Sequence, residues 1–265
     1  MFLTRFRVNT ARAGARRLLS SPQLLHGAVM ASFAEPTPSE PMPSGPMPSK
    51  PKPSEPTPSG PSVASGPAAA GSVPRVLWRI DHNSRSEVLL YLVGPQRPDL
   101  THLVEQAGWP TTGGWQTFDY GAFLAGIAAG STFAFRLTAN PVHSIRRKPD
   151  EPTRRTAHLT QRHQAAWLLG QQERSGFTVV EKAPDRRLLT EGDEHELVVH
   201  RQQAVSFGKN DRVNAGRHRV TLVTATYDGR LRVTDPDALR RTLTAGLGKA
   251  KAYGCGLMTL APVRG

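Results

Sequence analysis

Two stretches at opposite ends of the chain carry residue types that can do chemistry. Near the C-terminal end, Gly246-Leu247-Gly248-Lys249-Ala250-Lys251-Ala252-Tyr253-Gly254-Cys255-Gly256 holds four glycines in eleven residues, with two lysines and no acid. Glycine lacks a Cβ and tolerates positive φ, so Gly246, Gly248, Gly254 and Gly256 let a backbone come close to a ligand. Lys249 and Lys251 add the charge that a phosphate would meet there. The same pattern also suits a plain packing turn between a helix and a strand. Near the N-terminal end, His26 lies in Ser21-Pro22-Gln23-Leu24-Leu25-His26. An imidazole, with an ordinary pKa near ~6.5, can take or give a proton near neutral pH, although a lone histidine is more often an ordinary surface or packing residue. Cys255 is the single cysteine. It can form neither a disulfide framework nor a thiolate zinc site, is consistent with a reducing, cytoplasmic setting, and reads as a small buried residue rather than a nucleophile.

The elements that must position these residues follow from spacing. Ser21 can cap a helix that opens at Pro22 and runs through Phe33. On its wheel Leu24, Leu25, Ala28, Val29 and Ser32 share one face, while Gln23, His26, Gly27 and Met30 lie away from its centre, which turns His26 toward a groove or solvent. Asp235 and Pro236 open a second capped helix, with Leu239, Leu243 and Leu247 at helical spacing. The glycine run therefore connects that helix to a last strand, Leu257-Met258-Thr259-Leu260-Ala261.

Between these ends the chain alternates strand and helix signals. Residues 1–8 read as a first strand; Arg75–Ile80 and Glu87–Val93 as two more; Asp99–Ala107 as a helix; Trp115–Tyr120 and Thr132–Leu137 as strands. That order suits a βαββαβ, ferredoxin-like domain over residues 1–142, with Thr132–Leu137 decorating its last strand. Residues 143–158, including Arg146 and Arg147, form a basic connector. Residues 159–265 hold a helix near Thr160–Arg174, strands at Phe177–Lys182, Glu196–Arg201, His218–Tyr227 and Arg230–Thr234, and the closing helix, glycine run and strand, a second ferredoxin-like unit. Asp228-Gly229 predicts a tight hairpin turn. A basic arm between Val205 and Arg219 carries Lys209 and Arg212, and Arg201 stands just before it. The expected fold class is thus α+β, with tandem ferredoxin-like (RRM-like) domains.

Residues 35–72 interrupt the first domain with a five-residue Pro/Ser repeat, EPTPS-EPMPS-GPMPS-KPKPS-EPTPS, and hold twelve of the 23 prolines. Such a composition cannot bury a core, so a disordered insertion is expected. Across all 265 residues, 34 Lys and Arg against 21 Asp and Glu give a net charge of +13, which points to a polyanionic partner, nucleic acid before a membrane surface. No segment is apolar enough to span a bilayer. Residues 1–34 hold five arginines and no acid, also the composition of a transit peptide, but strand alternation followed by a capped helix reads as folded structure.

These pieces resemble the CasE-type CRISPR-associated endoribonucleases, the repeat-processing subunits of type I-E systems. The matching features are the opening strand, Ser21 to His26, Phe135-Arg136-Leu137-Thr138-Ala139-Asn140-Pro141, Ala165-Ala166-Trp167-Leu168, Phe207-Gly208 and the run from Gly246 to Pro262. The resemblance implies metal-free, cofactor-free cleavage of precursor CRISPR RNA at the 3′ base of each repeat hairpin. It also implies a product retained in the surveillance complex with the other subunits, and His26 as the catalytic residue. RNA contacts are expected from Lys249, Lys251, the four glycines, Lys209, Arg212, Arg201, Arg146 and Arg147. Some family members carry a tyrosine three residues before the histidine, where this chain has Gln23, which cannot transfer a proton. A catalytically silent hairpin-binding subunit is the alternative.

Overall fold

The computed structural model describes residues 1–33, 75–84, 86–110, 114–146, 153–210 and 217–263, with backbone only for 209, 210 and 217–219. The Pro/Ser insertion, Arg147 and Arg212 lie outside the described residues. Met1–Phe33 and Pro74–Gly265 belong to one compact unit.

The first half runs β1 (Phe2–Val8), α1 (Ala13–Leu19), α2 (Pro22–Ala31), β2 (Leu77–His82), β3 (Val88–Gly94), α3 (Thr101–Ala107) and β4 (Trp115–Asp119). Its antiparallel sheet has the order β2-β3-β1-β4, the ferredoxin-like arrangement. Alternation in β1 sends Thr4, Phe6 and Val8 inward and leaves Arg5 and Arg7 exposed. β1 is hydrogen-bonded on both sides, to β3 and β4, so the first strand, with Arg5 and Arg7, lies in the middle of the sheet. Phe6, Val8, Leu90 and Leu92 pack with Leu18, Leu25, Val29 and Leu103 from the helices.

The short helix α4 (Tyr120–Ala125) leads to the second half: β5 (Thr132–Ala139), β6 (Val142–Ile145), β7 (Arg154–Ala157), α5 (Gln161–Leu169), α6 (Gln172–Ser175), β8 (Phe177–Val179), β9 (Leu197–Asn210), β10 (Arg217–Val233), α7 (Pro236–Ala245) and β11 (Met258–Pro262). The sheet order β11-β5-β10-β8, with β9 also on β10, repeats the first. Asp235 caps α7 as its sequence predicts, accepting from Asp237 N and Ala238 N.

Three expectations are corrected. Thr132–Leu137 does not complete the first sheet: β5 pairs with β10 and β11 and is the opening strand of the second. Asp228-Gly229 is no turn but the middle of the 17-residue β10. Arg136 binds the Asp228 carboxylate through two 2.7 Å hydrogen bonds. A Cβ on Gly229 would stand 2.3 Å from the Glu196 carbonyl oxygen, so tertiary contact, not turn chemistry, selects both residues. Leu24, placed on the core face of its helix, is 42% exposed, because Leu25 and Val29 centre the buried stripe. Helix α1 has no capping side chain and no acid in its first turn, so nothing local announces it.

The two sheets meet through Arg79 on β2, which is 1% exposed. Its Nε and Nη2 donate to Asp81 at 2.7 and 2.8 Å. Its Nη1 donates to the carbonyls of Arg136 at 2.7 Å and Leu257 at 2.9 Å, and Nη2 also donates to Thr259 Oγ1 at 2.8 Å. All five guanidinium N–H groups are thereby matched. Replacing Arg79 with Ala leaves the buried Asp81 carboxylate with, among the described residues, Arg136 as its one ion-pair partner, 3.8 Å away, and is expected to lower the unfolding free energy by ~3–5 kcal/mol, read from urea melts.

Candidate functional site

The helix bearing His26 is built by Ser21, whose side chain accepts from Leu24 N, and by Pro22 at its first position. His26 is half-buried beside the core positions Leu25 and Val29. Its Nδ1 is sealed from solvent and has no hydrogen-bond partner among the described residues. Burial holds its pKa below the ordinary value of 6.5, because desolvation disfavours the charged ring. The imidazole is therefore neutral at pH 7.

Helix α2 packs against the single 3₁₀ turn Lys251–Tyr253 within the glycine run. Pro22 and Leu25 of α2 share a cleft of about 660 Å³ with Tyr253, Gly254 and Cys255. The helix of His26 and the glycine turn are thus neighbours across the junction of the two sheets, although the ring itself does not line this cleft.

All four glycines of the run have φ between +78° and +91°. Packing accounts for them. A Cβ on Gly254 would lie 2.6 Å from the Trp78 ring, and one on Gly256 2.7 Å from the Leu247 carbonyl oxygen. Gly246 would meet Leu77 at 2.8 Å and Gly248 would meet Trp167 at 3.1 Å. The amide of Gly246 donates to Thr242 O and that of Gly256 to Thr138 O, so two of the four amides are spent inside the fold. Lys251 Nζ donates to Ala245 O at 2.7 Å. Burial, then Arg75 and Lys249, lowers the Lys251 pKa. Cys255 is fully buried, and burial pushes its thiol up to about 12.

Lys249 is exposed and borders a second groove of about 1010 Å³, together with Arg154 and Arg155 on β7, Asn140, Leu222 and Tyr253. Arg146 is exposed at the end of the β6–β7 ribbon. Lys209 pairs with His218 near the tip of the β9–β10 arm. Arg201 is exposed and borders the first cleft: at φ +49° it occupies the bulge where β9 slips against Thr224 and Thr226, and its Nη2 donates to the carbonyl of His82 on β2. Sequence reading overlooked a linked polar chain, Arg79, Asp81, Arg136, Asp228 and His200, of which Asp81, Arg136 and His200 line the first cleft. His200 Nε2 lies 3.0 Å from Asp228 Oδ2. Arg79 and Asp81 stand two apart on a strand, hence on one face, and that spacing is the signal that reveals the pair.

A family model described as CRISPR associated protein matches residues 1–262. The CRISPR-associated endoribonuclease Cse3 of Thermus thermophilus is 30% identical over 191 residues, covering 71% of this chain and 80% of that protein. The chain belongs to the CasE family. A structure of Thermus thermophilus Cse3 bound to an RNA representing a pre-cleavage complex matches with a TM-score of 0.64 at 22% identity, covering 98% of each chain. A chain of a CRISPR RNA-guided surveillance complex in a pre-nicking state matches with a TM-score of 0.55 at 19% identity, covering 99% of this chain and all of that one. At such identities the likeness is one of fold, and it confirms the tandem ferredoxin-like architecture of this CasE-family chain.

Two glycine substitutions test the packing around the CasE-family helix and turn. Gly27 in α2 is exposed, and a Cβ there meets nothing within 4 Å. Gly27→Ala is expected to raise stability by ~0.5–1 kcal/mol. Gly256→Ala, strained at φ +91° against a backbone oxygen, is expected to lower it by ~1–3 kcal/mol. Thermal unfolding midpoints moving in opposite directions would check both.

Proposed function

We propose that this CasE-family chain is a metal-independent endoribonuclease. It cleaves precursor CRISPR RNA at the 3′ base of the repeat hairpin, leaves a 2′,3′-cyclic phosphate, and holds the product as a subunit of the type I-E surveillance complex. The observation that carries this reading is a neutral, half-buried imidazole on a helix packed against the glycine turn, with Lys249, Arg154 and Arg155 on the groove alongside. The curated relative is an endoribonuclease by name, and among the matching structures one holds RNA and another is a surveillance complex.

In this mechanism neutral His26 takes the proton of the 2′-hydroxyl, and the oxygen attacks the adjacent phosphorus. The bond from phosphorus to the 5′-oxygen breaks, and that oxygen takes a proton from water. Because Gln23 cannot supply that proton, turnover is slow, which costs little in a protein that keeps its product. Negative charge developing on phosphorus is met by the exposed cations of the groove, Lys249 foremost. Phosphate contacts and stem shape select the hairpin, since A-form RNA hides its base edges in a deep major groove.

Incubation with repeat RNA in EDTA is expected to yield a product with a cyclic-phosphate end from the wild type and at least ~100-fold slower cutting from His26→Ala. Undiminished cutting by the variant would remove His26 from the mechanism. Intact RNA from the wild type after long incubation with excess protein would instead indicate a silent hairpin-binding subunit. The pH profile adds a sign. A base whose pKa is lowered works in its unprotonated form, so the single-turnover rate should be level above neutrality and fall as pH drops through a midpoint below 6.5. A rate that rises on acidification would assign His26 the acid role.

A further inference from the structure

Tyr253 borders both grooves, the cleft between the sheets and the basic groove with Arg154, Arg155 and Lys249. It closes the 3₁₀ turn against which α2 packs. Its position is set by the backbone, with Ala250 at φ +59° before it and Gly254 at φ +79° after it, and by a hydrogen bond of 2.9 Å from its own amide to Ala250 O. Phe207 of the arm braces the ring, at 4.7 Å between centroids and 60° between planes. The ring is half-buried, so its aromatic surface is held in place without being enclosed.

We propose that Tyr253 is a positioning residue, an aromatic platform for the base of the first unpaired nucleotide 3′ of the hairpin stem. This rests on the hairpin-cleaving reading above. A duplex held by phosphate contacts lies in the basic groove, and a strand that leaves the duplex toward the other groove crosses the turn where Tyr253 stands. Every base has a π face, so such a platform accepts any nucleotide. It fixes the register of the scissile phosphate without reading sequence. The mechanism gives the hydroxyl no role: the platform is the ring, and its effect is to hold the nucleotide beyond the cleavage point against the helix of His26.

The test is a double-mutant cycle between protein and RNA, with the full chain and a repeat hairpin carrying an unpaired 3′ flank. Equilibrium binding is read on RNA with a 2′-deoxy group at the cleavage position, and single-turnover cleavage on the unmodified RNA. An abasic site at the first flanking nucleotide is expected to weaken wild-type binding by ~5–150-fold, the loss of one stacked base. Tyr253→Ala should lose the same factor on the intact RNA and little more on the abasic RNA, while Tyr253→Phe should match wild type in both readouts. Losses that multiply, or an abasic site that costs the wild type nothing, would overturn the platform. Cleavage lost in Tyr253→Phe with binding kept would make the hydroxyl a proton donor, and would overturn it equally. A hairpin trimmed of its flank separates the two readings: if wild type fails to bind even that, the hairpin reading fails, whereas normal binding of the trimmed hairpin with no benefit from the flank fails only the platform. An unchanged thermal midpoint in Tyr253→Ala keeps any loss distinct from unfolding.

Discussion

The arrangement depends on one buried guanidinium. Arg79 leaves β2 on the face turned to the second sheet and finds five acceptors, two on Asp81 and three on β5 and the segment after the glycine run. A buried ion pair gains little over apolar packing unless its remaining donors are matched, and here they are. The consequence is positional. Leu257 O and Thr259 Oγ1 follow the glycine run directly, so Arg79 holds the exit of that run against the first sheet, and with it the turn on which α2 rests. Lysine offers three donors on a flexible stem and cannot reproduce a planar fork that reaches two elements of the other sheet at once.

The apolar contacts act in the same direction. Leu77 and Val93 of the first sheet belong to the same buried cluster as Phe135, Leu137, Tyr227 and Leu257 of the second. Water excluded there strengthens the electrostatics of Arg79 and of its neighbours. Burial works against the charge on Asp228, and the bonds from Arg136 and His200 more than offset it, leaving its carboxyl pKa low. Arg79, Asp81, Arg136 and Asp228 thus alternate in sign, and Asp81 and Arg136 of that chain line the cleft.

Local signals carried the parts of the fold that local physics decides. Caps at Ser21 and Asp235, alternation in β1 and leucine spacing in α7 were all legible, as was the α+β tandem class. What failed was decided by distant partners. β5 pairs with strands more than eighty residues away in sequence, and no periodicity states which sheet will receive a strand. Asp228-Gly229 has turn composition, yet Arg136 and the Glu196 carbonyl claim it for a strand. For the site, residue types named His26 and the glycine run, and packing alone brings α2 onto the turn. The same packing explains why the glycines are glycines, which the run by itself left open between a cradle and a corner.

The cations divide into two populations, and the division bears on how the net charge should be understood. Helices α3, α4 and α7 carry no basic residue in their own last turn, so their carbonyl ends lack a local counter-charge. Each receives one from elsewhere in the chain. Arg12 donates to Val104 O and Gly108 O, Arg240 to Leu124 O and Ile127 O, and Lys251 to Ala245 O. Together with Arg79 and Arg136 these cations already make hydrogen bonds within the fold. Under the proposed function, the charge that meets the RNA includes the exposed side chains of the basic groove and its ribbon, Lys249, Arg154, Arg155 and Arg146. Affinity for RNA scales with counterions released by such groups and not with total charge. Under the proposed function, net charge alone therefore does not fix where the RNA lies, and ring stacking and hairpin shape are left to set where the strand is cut.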